Sequence, residues 1–230
     1  FSMKKIFITI AFVLLYFLFM FNAHAERYIF DESTGNTVVG EIRIVSADER
    51  ETLLDIARSH GFGYQDMKLI NVGVDTWLPG DGQEILLPAQ FILPVAPMRG
   101  IVLNVPEMRL YYYPQKEKGK QQEVHTYPLG VGREGWNTPY IKTLIVEKKV
   151  KPSWHPPKSI RKEHEEAGDP LPKIVRPGPN NPLGSYAMRL GRRDYLIHGT
   201  NKPYGIGMRI SHGCIRLYPE DIEELFSKVS

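Results

Sequence analysis

The sequence predicts a mainly β protein in which a small α+β domain precedes a larger β domain. Three observations support this prediction. After residue 99, segments rich in β-branched and aromatic residues alternate with turn-like stretches, which is typical of strands. Before that point, residues 42–90 combine two strand-like segments with two stretches of helical periodicity. Prolines are concentrated between the two regions and again in residues 151–184, where long regular elements are not expected.

The composition is that of an ordinary globular chain without a strongly charged surface. The 230 residues are 42% hydrophobic and 11% aromatic, and the formal net charge is +3. Two of the positive charges, Lys4 and Lys5, lie in a predicted targeting segment. We therefore expect no nucleic-acid partner and no extensive disorder, because these need a larger charge imbalance or fewer apolar residues.

The N-terminus indicates export. Lys4 and Lys5 are followed by an apolar run over residues 6–21 and by a small-x-small ending at Ala23 and Ala25. This order is typical of a secretory signal peptide, predicted here as residues 1–25. The apolar run is shorter than the roughly 20 residues that span a bilayer, so we expect no stable membrane span after cleavage; a retained anchor is the alternative.

Residues 26–41 are expected to form an N-terminal strand or lead-in to a compact unit at residues 42–90. In this unit a short alternating strand begins at Ile42, and Asp48 with Glu51 predicts a capping box for the next helix. The elements that follow are a helix that starts near Leu53 and stops at Gly61, a second helix over residues 66–70, a turn over residues 79–82 and a closing strand over residues 84–87.

This unit resembles a LysM module, a small fold that binds glycans containing N-acetylglucosamine, such as peptidoglycan. The resemblance is carried by Thr52-Leu53, Ile56-Ala57, Asn71, Leu78-Pro79-Gly80 and Ile85 to Pro88. It implies a glycan-binding domain in front of the β domain. The alternative is a packing or spacer domain that holds no sugar.

Residues 91–98 are predicted to be a semi-rigid linker, since Pro94 and Pro97 each fix φ and remove a hydrogen-bond donor. The β domain follows at residues 99–230, and its predicted strands are residues 101–105, 108–113, 123–131 and 140–150. The proline-rich insertion at residues 151–184 has one short helical candidate at 159–167, which favours a lid or binding loop. A helical segment begins near Pro219, and we expect the domain either to be naturally short or to lack a last strand after it.

Gly130, Gly132 and Gly135 match a G-x-G-x-x-G pattern after a predicted strand. The following segment, Trp136 to Pro139, cannot open the helix that a nucleotide-binding fingerprint needs. We therefore interpret these glycines as a hairpin turn.

The residues suited to catalysis lie near the C-terminus. His198 ends an apolar strand, and Cys214, the only cysteine in the sequence, follows in a loop of small residues. A thiol attacks as the thiolate and needs a nearby base, for which His198 is the candidate. The N–H groups of Gly213 and Cys214 are candidates for stabilising an oxyanion. Arg216 is a candidate for pairing with a substrate carboxylate or for stabilising the thiolate.

His212 has two readings: it either buttresses the loop through hydrogen bonds or supports the oxyanion. His198, His212 and Cys214 are also zinc-ligand types, but no fourth ligand is apparent nearby. We therefore expect no metal and no cofactor.

The run His198-Gly199-Thr200, followed by Ser211-His212-Gly213-Cys214-Ile215-Arg216, resembles the signature of the L,D-transpeptidases with a YkuD-type catalytic domain. Further segments resemble a Gram-negative periplasmic group of that family, the ErfK/YbiS/YcfS/YnhG group: Gly73 to Pro79, Phe91 to Pro94, Glu107 to Tyr113 and Gly178 to Gly184. The resemblance implies a β-sandwich-like catalytic domain. It also implies that Cys214 is the nucleophile, that His198 is the general base and acid, and that the Gly199 carbonyl orients the imidazole.

The reaction implied by the resemblance is acyl transfer on peptidoglycan tetrapeptide stems, with loss of D-alanine and sensitivity to carbapenems. The acceptor is expected to be the C-terminal lysine of an outer-membrane lipoprotein, with a second stem, giving a 3-3 cross-link, or water as alternatives. Substrate contacts are expected from Arg216, Ser211, Thr200, Trp154 and Tyr186.

Two other function classes are weighed against this one. A cysteine peptidase or amidase of the cell wall also pairs Cys with His, but there the Cys precedes the His, whereas here His198 comes before Cys214. The non-enzymatic alternative is a wall-binding protein in which the β domain is only a scaffold.

Overall fold

The computed structural model describes residues 26–192 and 195–229. The predicted signal peptide, residues 1–25, therefore lies outside the described residues. Within the described ranges, no helix is both long and apolar enough to cross a membrane.

The mainly β prediction is confirmed, since the described residues form fourteen strands and four α-helices. The strands are β1 Glu26–Phe30, β2 Val38–Gly40, β3 Arg43–Ser46, β4 Glu84–Leu87, β5 Gln90–Ile92, β6 Gly100–Asn104, β7 Arg109–Tyr113, β8 Gln122–Pro128, β9 Val131–Gly132, β10 Ile145–Val150, β11 Tyr186–Leu190, β12 Leu196–His198, β13 Arg209–Ser211 and β14 Ile215–Arg216. The helices are α1 Leu53–Ser59, α2 Tyr64–Ile70, α3 Lys158–Glu166 and α4 Pro219–Lys228.

Elements β3, α1, α2 and β4 form the predicted strand–helix–helix–strand order, with β3 and β4 paired antiparallel. The helix begins at Leu53 as predicted, but the predicted capping box of Asp48 and Glu51 was wrong. The capping box of α1 consists of Thr52 and Asp55: the Thr52 hydroxyl accepts from the Asp55 N–H at 3.1 Å, and the Asp55 carboxylate accepts from the Thr52 N–H at 3.0 Å. Asp48 and Glu51 instead close the turn before the helix, where the Glu51 carboxylate accepts from the Asp48 N–H at 3.2 Å.

The predicted linker begins inside a strand. β5 pairs antiparallel with β2, so the first residues of the segment 91–98 satisfy their backbone groups in a sheet. The lead-in, residues 26–41, is equally structured, because β1 pairs along its whole length with β8 of the catalytic region. Neither pairing was predictable from local patterns, since the partners are distant in sequence.

Two four-stranded sheets form the body of the protein. The first has the order β1-β8-β7-β6 and is antiparallel throughout. The second has the order β10-β11-β12-β14, and its last pair, β12 with β14, is parallel. The strand predicted at residues 140–150 begins only at Ile145, after an irregular stretch.

Alternating side chains of β7 enter two different cores, as the period of two of a strand requires. Tyr111 and Tyr113 pack with the helices and strands of the N-terminal unit, in one continuous cluster with Phe62 and Ile56. Leu110 packs in a second cluster that joins the first sheet to the second sheet and to α4. The molecule therefore has three layers, and the first sheet is covered on both faces.

Arg109 links the N-terminal unit to the first sheet. Its side chain is only 2% exposed, and the guanidinium carbon lies 4.2 Å from the centre of the Phe91 ring and 5.5 Å from that of Phe62. The guanidinium donates to the Thr126 hydroxyl at 3.0 Å and lies 3.7 Å from an Asp66 carboxylate oxygen. These cation–π and polar contacts satisfy a charge that would otherwise be costly to bury.

The N-terminal unit also contacts the segments that flank the catalytic motif. Arg58 of α1 makes a two-pronged ion pair with Glu220 of α4, at 2.8 and 2.9 Å. The Tyr218 hydroxyl donates to the Phe62 carbonyl at 3.1 Å. Gly63 and Gly207 touch through their backbones, and a Cβ atom on Gly207 would lie 2.5 Å from the Gly63 Cα.

The insertion at residues 151–184 is held together around Asn181, which is fully buried. Its side-chain amide donates to the Pro152 carbonyl at 2.8 Å, and its side-chain oxygen accepts from the Leu183 N–H at 2.9 Å. Trp154 and Val175 exchange two backbone hydrogen bonds of 2.9 Å. The insertion carries α3, close to the predicted helical stretch.

Candidate active site

His198 and Arg216 project from one face of the second sheet, and Cys214 lies just before the strand that carries Arg216. His198 of β12 is the register partner of Arg216 in the parallel strand β14. Paired residues point to the same side of a sheet, and residues two apart on one strand do so as well. Cys214 precedes Arg216 by two positions and immediately precedes β14. The sequence-predicted base therefore shares a face of the sheet with Arg216, and the sequence-predicted nucleophile lies directly before the strand that carries Arg216.

His198 is held in one tautomer. Its side chain is 3% exposed, and Nδ1 lies 2.6 Å from the Gly199 carbonyl oxygen. Because a carbonyl only accepts, Nδ1 carries the proton, and Nε2 of a neutral ring has its lone pair available. Burial and the nearby Arg216 charge lower the His198 pKa from 6.5 to about 3, so the imidazole is neutral at physiological pH.

Arg216 is largely buried, and its Nε atom has no hydrogen-bond partner within the part of the chain that the structure describes. Burial lowers its pKa, and the negative charge of the Cys214 thiolate acts in the opposite direction. The guanidinium and the thiolate thus stabilise each other, while the same guanidinium disfavours a charged His198 ring.

The loop that carries Cys214 is fixed by Ser211. The buried Ser211 hydroxyl donates to the Cys214 carbonyl at 2.7 Å and accepts from the Gly213 N–H at 3.2 Å. The Gly213 N–H, predicted to stabilise an oxyanion, donates within the loop, and Ser211, predicted to contact substrate, has no exposed surface and orders the loop.

The loop is also held from outside by Thr138, a residue that the sequence analysis did not select. The Thr138 hydroxyl donates to the Gly213 carbonyl at 3.0 Å and accepts from the Gly132 N–H at 3.2 Å. Gly132 has no room for a side chain, because a Cβ atom there would lie 1.8 Å from the Trp136 carbonyl oxygen.

The glycine segment is not the predicted hairpin turn. Gly130 exchanges two backbone hydrogen bonds of 2.9 Å with Arg216, and β9 runs parallel to β13. A turn does follow over residues 133–136. The segment therefore braces the catalytic strand.

His212 turns toward the insertion. Its Nε2 lies 3.2 Å from a carboxylate oxygen of Glu163 in α3 and 3.3 Å from an Arg133 nitrogen. The Trp136 ring packs edge-on at a centroid distance of 5.0 Å. Burial lowers the His212 pKa, and Glu163 offsets part of that shift. This geometry corresponds to the buttressing role, and the adjacent Arg133 cation disfavours a metal ion at this ring.

The sequence analysis selected three further residues as substrate contacts: Thr200, Tyr186 and Trp154. Thr200 is 4% exposed, and its hydroxyl accepts from the Lys202 N–H at 2.9 Å, so it closes a turn. Tyr186 donates to Glu223 at 2.7 Å and packs against Phe226 of α4, on the sheet face opposite His198. Trp154 is half-buried in the insertion.

A groove of about 110 Å³ runs along the face of the second sheet that bears His198. Its floor is Ala187 and Leu196, which flank His198 in register and sequence, and Leu183, whose backbone hydrogen-bonds the imidazole, lines its side. Its far end is formed by Glu147, Lys149 and Arg189, while Pro152 and Ser153 of the insertion contribute a wall. We call this feature the sheet groove. The described residues contain no cluster of three or more His, Cys, Asp or Glu side chains suited to a metal ion.

Comparisons with known proteins show which family and which relatives this chain is similar to. The YkuD family model, described as the L,D-transpeptidase catalytic domain, matches residues 98–230. The chain is 45% identical over 198 residues to the probable L,D-transpeptidase YbiS of Escherichia coli strain K12, a match that covers 85% of this chain and 63% of that protein. Probable L,D-transpeptidases ErfK/SrfK and YcfS of the same strain are 42% and 41% identical over 198 and 201 residues, and each match covers 85% of this chain and 62% of the relative. The chain thus spans slightly less than two thirds of the length of these relatives.

Proposed function

Because the chain belongs to the family of L,D-transpeptidases with a YkuD catalytic domain, we propose that it is a periplasmic peptidoglycan transpeptidase with Cys214 as its nucleophile and His198 as its base. This assignment is supported by the pairing of His198 with Arg216 across β12 and β14, two residues after Cys214, and by the hydrogen bond from His198 Nδ1 to the Gly199 carbonyl. This is the arrangement that nucleophilic thiol catalysis needs.

In the first half of the reaction, Nε2 of neutral His198 accepts the Cys214 proton. The thiolate attacks the carbonyl carbon of the diaminopimelate residue at position three of a tetrapeptide stem. The bond to D-alanine then breaks, and the imidazolium returns its proton to the leaving amine. The product is a thioester between Cys214 and the stem, and no cofactor takes part.

In the second half, an amine attacks the thioester carbonyl and gives up its proton to His198, which delivers it to the departing Cys214 sulfur. We favour the C-terminal lysine of an outer-membrane lipoprotein as this amine, because the sequence resembles the Gram-negative periplasmic group of the family. A second diaminopimelate amine, giving a 3-3 cross-link, is the next choice, and water is the third.

The tetrahedral intermediate carries a negative oxygen that needs hydrogen-bond donors. We propose that the Cys214 N–H takes part in this role, while the Gly213 N–H donates to Ser211 within the loop. Arg216 supplies positive charge beside the sulfur, and its unpartnered Nε is suited to a carboxylate of the substrate.

The N-terminal unit is proposed to be a LysM-like module that contacts the glycan strands, and residues 1–25 a signal peptide that directs the protein to the periplasm. The paired β3 and β4 strands with two helices between them support the first proposal. The order of Lys4, Lys5, the apolar run and Ala25 supports the second.

The test is mass spectrometry of tetrapeptide muropeptides and a lysine-terminated lipoprotein peptide incubated with the purified protein, with Cys214→Ser and Cys214→Ala alongside. We expect release of D-alanine, a thioester adduct at Cys214, and a joined muropeptide–lipoprotein peptide, all lost in both variants. Formation of stem dimers alone would identify a second stem, and not the lipoprotein, as the acceptor, so that the reaction is 3-3 cross-linking. Cleavage without acyl transfer would favour a cell-wall peptidase, and no Cys214-dependent change from folded protein would favour a wall-binding protein.

A further inference from the structure

Three charged side chains form a cluster at the far end of the sheet groove. One Glu147 carboxylate oxygen accepts from Arg189 Nε at 2.8 Å, and the other accepts from Lys149 Nζ at 2.8 Å. The catalytic mechanism above uses none of the three. We call them the charged triad.

Strand register connects the triad to the catalytic residues. Lys149 of β10 is paired with Ala187, which is paired with His198, which is paired with Arg216. In the adjacent row, Glu147 is paired with Arg189 and Arg189 with Leu196, which lies two residues before His198 on β12. Side chains within these two rows share one sheet face.

Distances follow from the spacing of strands. Neighbouring strands lie about 4.8 Å apart, so Lys149, two strands from His198 in the register, has its backbone about 10 Å from that of the histidine. The sheet groove is lined by Leu196 and Ala187, which are apolar and lie in the rows that lead toward His198. An apolar passage that ends in paired opposite charges fits a hydrocarbon chain with a zwitterionic end.

We propose that the charged triad is the subsite for the far end of the acyl donor's side chain, an end that carries both an ammonium and a carboxylate. The proposal deepens the proposed function and rests on it for the identity of the reaction. In the complex, Arg189 and Lys149 bind the carboxylate of that end, and Glu147 accepts hydrogen bonds from its ammonium. In diaminopimelate, about five bonds, or about 6 Å, separate the reacting carbonyl from the carbon bearing both groups, and a side chain of Arg189's length covers the remainder.

The existing ion pairs do not prevent this exchange. The side chains of Arg189, Lys149 and Glu147 are 49%, 61% and 36% exposed. Ion pairs this exposed contribute little to stability, so a ligand that offers both charges replaces them at little cost. Without a ligand, the mutual pairing keeps the three groups oriented toward one another.

The geometry favours the side chain of the acyl donor, and not that of the acceptor, as the ligand of the charged triad. An acceptor diaminopimelate carries its carboxylate on the same carbon as the attacking amine, which places it close to Cys214 and not two strands away. A C-terminal lysine acceptor has a carboxylate at a suitable distance but no ammonium beside it, because its α-nitrogen is in a peptide bond. Only the donor side chain supplies both charges to Glu147, Lys149 and Arg189.

The experiment compares three tetrapeptide stems: one with meso-diaminopimelate, one with its side-chain carboxylate amidated, and one with lysine in its place. Release of D-alanine is measured for the wild-type protein, Arg189→Ala, Glu147→Gln and the matched surface control Arg50→Ala. We expect Arg189→Ala to raise KM about tenfold for the diaminopimelate stem and to change it little for the other two. Glu147→Gln should raise KM for the stems that carry the ammonium, and Arg50→Ala should change nothing.

A second measurement is equilibrium binding of the same stems to the Cys214→Ala protein, with and without Arg189→Ala. We expect the diaminopimelate stem to bind about tenfold more tightly than the lysine stem, and Arg189→Ala to remove the difference. If that difference appears but the wild-type protein releases no D-alanine, the subsite stands and the proposed reaction fails. Equal binding of all stems, an equal loss on all stems, or a dependence on the acceptor instead of the donor would overturn the subsite.

Discussion

Glu163 of α3 and His212 of the catalytic loop lie 3.2 Å apart, carboxylate oxygen to Nε2, although 49 residues separate them. Arg133 pairs with the other Glu163 oxygen at 2.5 Å. This contact is the polar connection between the insertion and the loop that carries Cys214. The insertion is therefore anchored at the motif itself as well as at Asn181.

Glu163→Gln should loosen α3 without unfolding the protein. The ion pair is exposed to solvent, so we expect only a small loss in the free energy of unfolding. Amide hydrogen exchange over residues 158–166 should become faster, while exchange in the first sheet stays unchanged. Lys162→Gln, on the exposed side of the same helix, is the matched control. Unchanged exchange in α3 would show that the helix is held by other contacts.

Arg216→Met should move the titration of His198 to higher pH. The Arg216 charge and burial both lower the His198 pKa, so removal of the charge leaves only burial, and the pKa should rise from about 3 while staying below 6.5. The ring must be neutral to act as a base, so the acid limb of kcat/KM should shift upward with it.

The measurement is NMR titration of the His198 ring signals. Arg133→Met serves as control, because Arg133 lowers the pKa of His212 and is not among the groups that shift His198. A His198 signal that titrates identically in the wild-type and Arg216→Met proteins would contradict the charge coupling.

Arg109→Met should be strongly destabilising. It removes the cation between Phe62 and Phe91 and leaves the Asp66 carboxylate, whose pKa is already raised by burial, without its partner. Breaking such a pair costs about 3–5 kcal/mol in the free energy of unfolding, measured by urea denaturation. The Arg109→Met, Asp66→Asn double variant should recover part of the loss. If the effects of the two substitutions on the free energy of unfolding are simply additive, the stability of the buried Asp66 carboxylate does not depend on Arg109.

Asp221→Asn should stabilise the protein at high pH. Asp221 is buried at the start of α4, one of its oxygens lacks a hydrogen-bond partner, and burial together with Glu220 and Glu224 raises its pKa well above the usual value. A group with a raised folded-state pKa contributes stability that is present below the unfolded-state pKa and is lost as the pH rises through the folded-state value. Replacing it by a neutral amide removes that loss, by about 1–3 kcal/mol.

Thermal unfolding of the wild-type and Asp221→Asn proteins from pH 4 to pH 9 checks this expectation. The gain in Tm should grow with pH and should be small at pH 4. Glu223→Gln, on the same helix but bonded to the exposed Tyr186 hydroxyl, should not reproduce that trend. A gain that is constant across the pH range would point to packing instead of ionisation.

The sequence predicted what local pattern determines. The order of the elements around α1 and α2 follows from apolar periodicity, and the small residues around Cys214 predict a tight loop near a strand-end histidine. The pairing of β2 with β5 was missed because two prolines nearby suggested a linker and the partner strand is distant in sequence. Thr138 and Glu163 were missed for the same reason: their roles depend on hydrogen bonds to a loop more than 45 residues away.

The Gly213 N–H shows a second limit of prediction from the sequence. Its position next to Cys214 suggests an oxyanion donor, but hydrogen-bond partners depend on side-chain direction, and Ser211 occupies that donor. Likewise, the sequence alone predicts that Arg109 is an ordinary exposed cation on a strand. Its burial becomes evident only from the N-terminal unit that covers this face of the sheet.

The backbone contact between Gly63 and Gly207 restricts how the C-terminal domain of this chain can be recombined with other N-terminal modules. Multidomain proteins often exchange such modules as cassettes joined by tolerant linkers, because each folds around its own core. Here a replacement would need a glycine at the contact, an aromatic pair to receive Arg109, and a partner for Glu220. Its first ninety residues are therefore expected to diverge together with the catalytic domain, through paired substitutions across the junction, instead of by shuffling.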